Sequence, residues 1–153
     1  MKRGGGVKNM RYRSLSEEMM VVDLFVDVKE SMGANLVNTI AENTAPLINE
    51  VLQTGRTALR ILSNLCTERM SRSDFRVPVD RLAWKGLSGS EVAHRVQEAY
   101  DFARLDEYRA TTHNKGVMNG IDAAAIAAGQ DWRAIESAAH AYVSLSGRYL
   151  PMT

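Results

Sequence analysis

Four polar clusters hold the residue types that could bind an anion, seat a cofactor or stabilise charge on a reacting oxygen. The first is Glu30-Ser31-Met32-Gly33-Ala34-Asn35, read as a strand–turn–helix junction. Helix N-termini carry free N–H groups and a partial positive charge, which suit anions. The junction reads either as that kind of site or as a tight turn capped by Asn35. It lacks the GxGxxG pattern, so a Rossmann site is not indicated. The second cluster is Ser63-Asn64, at the end of an expected strand, where Asn64 is either a strand-end cap or a ligand contact. The third runs from Arg109 to Gly120, a donor-rich loop leading into a helix of small residues. Lys115 falls at the expected start of that helix, where a cation opposes the helix dipole. It is either a solvated lysine or one paired with a carboxylate or an anionic ligand. The fourth cluster is Gly129-Gln130-Asp131-Trp132. Asp131 either caps the following helix or turns back to pair with Lys115.

Other chemistries find little support. Cys66 is the single cysteine, so no internal disulfide can form, and it has no histidine in a recognisable catalytic arrangement. His94, His113 and His140 lack metal-ligand spacing, so no metal is expected. His94 reads as a solvated helix position and His140 as a packed one.

The 153 residues, 45% hydrophobic and 24% charged, suit an ordinary globular chain with enough apolar material for a core. A net charge of +1 argues against a general nucleic-acid or acidic-membrane binder. The longest apolar run falls far short of the roughly 18 residues of a membrane helix. No signal-peptide core follows the basic, Gly-rich start, so a cytoplasmic setting is expected.

The elements that must position these clusters follow from periodicity. Lys2-Arg3-Gly4-Gly5-Gly6 reads as a loop, either a flexible terminus or a backbone able to approach a phosphate. Met19–Val28, dense in β-branched and aromatic types, predicts a strand. Asn35–Leu52 predicts a helix that Pro46 kinks or interrupts. Alternation over Thr57–Leu65 predicts a second strand, and Phe75–Val79 a possible third. Ser88–Arg104 predicts a helix capped at Ser88 or Ser90, with Glu91 at its start. The small-residue helix after Lys115 is expected to be buried, and Trp132–Val143 to be a last helix. Composition shifts near residues 85–110 from strand-and-helix to mostly helix, suggesting two partial units.

Taken together, Val26 to Thr39, Arg60 to Leu65, Tyr108 to Asp122 and Gly129 to Tyr142 closely resemble the class II (bacterial and archaeal) 3-hydroxy-3-methylglutaryl-coenzyme A reductases. The string Thr112-His113-Asn114-Lys115-Gly116-Val117-Met118-Asn119-Gly120-Ile121-Asp122 is its most specific part. The resemblance implies an α+β chain. Residues 1–66 would belong to a small, ferredoxin-like, non-Rossmann NAD(P)-binding domain. Residues 67–153 would hold the end of that domain and a helical part of the substrate domain.

It also implies interconversion of hydroxymethylglutaryl-CoA with mevalonate and coenzyme A, by two hydride transfers with NADH or NADPH. Glu30, Met32, Gly33, Ala34 and Asn35 match the family's cofactor motif, with Glu30 standing where aspartate is usual. Asn64 matches a second cofactor contact. Lys115 matches the catalytic lysine, whose ammonium stabilises charge on the carbonyl oxygen; such a donor contributes roughly 3–4 kcal/mol to lowering a barrier. Asp131 matches the aspartate that hydrogen-bonds it, Arg109 the residue that holds the substrate carboxylate, and Asn119 a polar residue of the same pocket. A homo-oligomer with its active site across the subunit interface is implied, with no nucleic-acid or membrane partner. The family's catalytic glutamate and histidine have no match here. The chain therefore resembles an internal fragment of a reductase of roughly 400 residues, expected to be inactive alone. The alternative is a non-catalytic module that binds cofactor or oligomerises.

Overall fold

The structure, a computed structural model, describes residues 4–153 and is α+β: one two-stranded sheet and four α-helices. Lys2 and Arg3 of the expected N-terminal loop lie outside the described residues. The chain divides into two compact units, residues 1–63 and 64–153.

The first unit opens with an antiparallel hairpin, β1 (Gly6–Ser14) and β2 (Met20–Asp27), with a bulge between Val7 and Asn9. The glycine run thus leads straight into a strand that sequence reading assigned to no element. β1 escapes hydrophobic patterning because its face is held by charge. Asp23 sits opposite Arg11 and accepts hydrogen bonds from both Arg11 and Arg13, at 2.9 and 2.6 Å. Arg11 also lies over the Phe25 ring, 5.1 Å from its centroid.

After β2 the chain turns at Val28–Gly33 and enters α1 (Ala34–Leu52). The helix continues through Pro46, so the proline does not interrupt it. Beyond α1 the predicted strand Thr57–Leu65 is not one. A strand needs a ladder partner, and among the described residues this segment has none. It is instead fastened to α1 by side chains. Thr57 Oγ1 donates to Asn49 Oδ1 at 2.7 Å, Arg60 pairs with Glu42 at 2.8 Å, and Leu62 N–H donates to Asn38 Oδ1 at 2.9 Å.

The second unit begins irregularly. Phe75–Val79 forms no strand; a 3-10 turn spans Val79–Leu82, and Trp84 bridges Leu87. α2 (Gly89–Leu105) then starts on a full capping box: Ser88 accepts from the Glu91 N–H, and Glu91 accepts from the Ser88 N–H at 2.8 Å. Asp106 ends α2 and begins the next helix. Its N–H donates to the Phe102 carbonyl, and its carboxylate accepts from the Arg109 N–H at 2.8 Å. α3 (Glu107–Ala127) follows, then α4 (Trp132–Val143).

The core of this unit is a stripe on α3, Ala110, Asn114, Met118 and Ala125, with Ala103 of α2. Spacings of four, four and seven keep that stripe on one face. Asn114 is fully buried, and both ends of its amide are hydrogen-bonded. Its amide donates to the Leu150 carbonyl at 2.9 Å and accepts from the Met152 N–H at 2.8 Å, fixing the C-terminal segment on α3. His140 is half-buried, hydrogen-bonded to Tyr149 at 2.6 Å and stacked on it, whereas His94 is exposed beside Glu98.

Candidate functional site

The first unit presents one end suited to an anion. At Gly33 the backbone is left-handed, with φ +94°, and a Cβ there would meet Val28 Cγ1 at 2.9 Å. Only glycine meets both conditions, and it lets the turn after β2 close against Val28 as α1 begins. No side chain caps α1, and no acidic residue lies in its first turn. Among the described residues, the leading amides of this 19-residue helix thus have neither a side-chain cap nor a first-turn carboxylate competing for them. Asn35 is exposed in that turn, and Met32 is 59% exposed just before it. Glu30 is exposed on the preceding turn. Nearby, Lys29 pairs with Asp27 at 2.8 Å, which holds the Asp27 carboxyl below its ordinary range. A free helix start without a competing acid is the donor set a dinucleotide diphosphate requires, so the residues present fit such a cofactor.

Asn64 belongs to the second unit, where its carbonyl accepts from the Cys66 N–H at 2.8 Å. It ends no strand.

The remaining candidates lie on α3 and at the start of α4. Arg109, expected in a loop, is in the first turn of α3, and Lys115, expected at a helix start, lies in its middle. The segment is polar enough to read as loop, yet its buried stripe is small and partly polar, so helical periodicity is faint. Lys115 and Asn119, four residues apart, share a side of the helix and are both exposed. Asp122 lies on that side too, and its Oδ1 is buried without a partner among the described residues; sequence reading gave it no role. The expected burial of the small-residue stretch is confined to Ala125, and Gly116 and Gly120 are exposed.

The buried Lys115–Asp131 pair is not formed. Both residues are exposed, and among the described residues no ion pair joins them. The reason is geometric. α3 stays helical to Ala127, which leaves Lys115 about 18 Å along the axis from the helix end, beyond the reach of a lysine side chain. The chain does turn at Gly129, φ +66°, but Asp131 uses its carboxylate to cap α4, accepting from the Ala134 N–H at 3.1 Å.

Comparison with known proteins shows what this arrangement belongs to. The family model for hydroxymethylglutaryl-coenzyme A reductase matches residues 1–151. The 3-hydroxy-3-methylglutaryl-coenzyme A reductase of Archaeoglobus fulgidus is 44% identical, over 98% of this chain and 34% of its own length. A probable reductase of the same kind from Borreliella burgdorferi is 33% identical, over 99% of this chain and 35% of its own. Among solved structures, the reductase of Streptococcus pneumoniae superposes with a TM-score of 0.85 at 41% identity, covering 98% of this chain and 41% of that one. A structure of the class II enzyme from that organism, bound to NADPH in open conformations, gives a TM-score of 0.84 at 41% identity, covering 98% of this chain and 36% of that one. The chain thus spans about a third of the length of its curated relatives. With nearly every residue inside the matched region, it belongs to the hydroxymethylglutaryl-coenzyme A reductase family.

Proposed function

We propose that this chain carries the dinucleotide-binding face and part of the substrate face of a reductase that interconverts hydroxymethylglutaryl-CoA with mevalonate and coenzyme A. The observation behind the reading is the open start of α1 at Gly33, set in a chain of this family. In it, the first-turn amides of α1 hold the diphosphate of NADH or NADPH, with Glu30, Met32, Ala34 and Asn35 around it and Asn64 as a further contact. The bound nicotinamide supplies hydride. Arg109 holds the substrate's free carboxylate through its guanidinium fork. Lys115 places an ammonium against the carbonyl oxygen as negative charge builds there, and Asn119, on the same side of α3, donates into the same pocket.

Lys115 and Asp131 stand apart within this chain, so their pairing calls for assembly with a second copy. Exposed apolar side chains at Phe102, Leu105 and Tyr108, around the α2–α3 joint, suit such an assembly. The chain alone therefore binds dinucleotide but does not turn over. The test is NADPH titration of the purified 153-residue protein, with an assay of hydroxymethylglutaryl-CoA-dependent NADPH oxidation. Saturable binding without turnover is expected. Absence of binding at millimolar NADPH would refute the cofactor assignment, and turnover near that of an intact reductase would refute the proposed inactivity.

A further inference from the structure

Asn38, Glu42 and Asn49 fall within about 40° of one another around α1, at 3.6 residues per turn. Each is bound by a residue of the segment that follows the helix: Asn38 by Leu62, Glu42 by Arg60, Asn49 by Thr57. The order is reversed, so the segment runs antiparallel back along the helix. The lengths agree. From Asn38 to Asn49 the helix rises about 16 Å at roughly 1.5 Å per residue. From Thr57 to Leu62 an extended chain covers about the same distance at roughly 3.3 Å per residue. Ala45, on the same face, is the buried residue of α1, and its small side chain lets the segment lie close.

This strap has a direction. It starts near the helix C-terminus and returns toward the open N-terminus at Gly33. The Leu62 amide on Asn38 ties it one helical turn past Asn35. One residue later the chain reaches Ser63, the last residue of this unit.

We infer that Asn38 and Glu42 are positioning residues for dinucleotide binding: through Leu62 and Arg60 they fix how the strap, up to Ser63, returns toward the open start of α1. This rests on the cofactor reading above. Asn38 supplies the acceptor for a backbone N–H, and Glu42 holds the strap in register by charge.

The test uses the whole chain, with NADPH as probe and the exchange rate of the Leu62 amide as a local readout. Asn38→Ala is expected to speed that exchange at least about tenfold and to weaken NADPH binding about fivefold. Asn38→Asp, which keeps the acceptor, restores both. Glu42→Arg weakens binding, and adding Arg60→Glu restores it; this pair carries the test should Asn38→Ala fail to fold. A contact that only stabilises the unit would lower the unfolding temperature while leaving the folded protein's NADPH affinity unchanged. That outcome, with wild type binding normally, overturns the inference and leaves the cofactor reading intact. Failure of wild type to bind NADPH overturns both.

Discussion

The helix starts of the two units are built in opposite ways. In the second unit α2, α3 and α4 each begin on a side-chain oxygen, from Ser88, Asp106 and Asp131, that accepts from a first-turn N–H. In the first unit α1 begins on a left-handed glycine with no such oxygen. Capping a helix contributes about 1 kcal/mol, so α1 forgoes stability that its three neighbours in sequence have. The three closed ends serve folding. The open one leaves its first-turn amides without a side-chain cap, and it is the end proposed above to hold the dinucleotide.

That contrast can be broken at its root. Gly33→Ala puts a Cβ against Val28 in a backbone conformation alanine disfavours, and should cost about 2–3 kcal/mol in chemical denaturation. Asn35→Asp sharpens the contrast by separating stability from binding. A carboxylate in the first turn of α1 raises stability slightly, by a few tenths of a kcal/mol. It repels an anion at the same place, so NADPH affinity in a fluorescence titration should fall about tenfold, or roughly 1.4 kcal/mol. If both quantities rise, α1 does not bind the diphosphate. Asp106→Ala should cost about 1 kcal/mol, because it removes the carboxylate that caps α3 while keeping the backbone N–H that closes α2, and NADPH affinity should not change.

The smallest effect concerns the hairpin. The Arg13 guanidinium beside Asp23, helped by Arg11, holds its carboxyl down at about 2. A depressed folded-state value contributes stability above the ordinary carboxylate range, and that stability is lost as pH falls from about 4 toward 2. At this partly solvated site the loss amounts to about 1 kcal/mol or less. Asp23→Asn should flatten the unfolding temperature across that window.

Elements whose instructions are local were readable from sequence. The Ser88–Glu91 box, the Asp131 cap and the apolar periodicity of α1 each lie within a few residues of what they specify. Elements whose instructions are distant were not. β1 depends on Asp23 across the hairpin. The Thr57–Leu62 strap alternates like a strand, but its partner is a helix rather than a ladder. α3 hides its period behind Asn114, whose partners lie 36 and 38 residues away. The same limit explains the site. The carboxylate expected to pair with Lys115, Asp131, caps the start of α4 instead.

Gly89, the first residue of α2, is buried so tightly that a Cβ would overlap the Val79 carbonyl oxygen. No methyl group fits between these two stretches of backbone, so even the mildest replacement must lift the helix off the 3-10 turn below it. Tolerance to mutation should therefore fall abruptly here. Most exposed positions of α2 can drift in identity, whereas its first residue is restricted to one of the twenty amino acids, for want of space rather than for any part in chemistry.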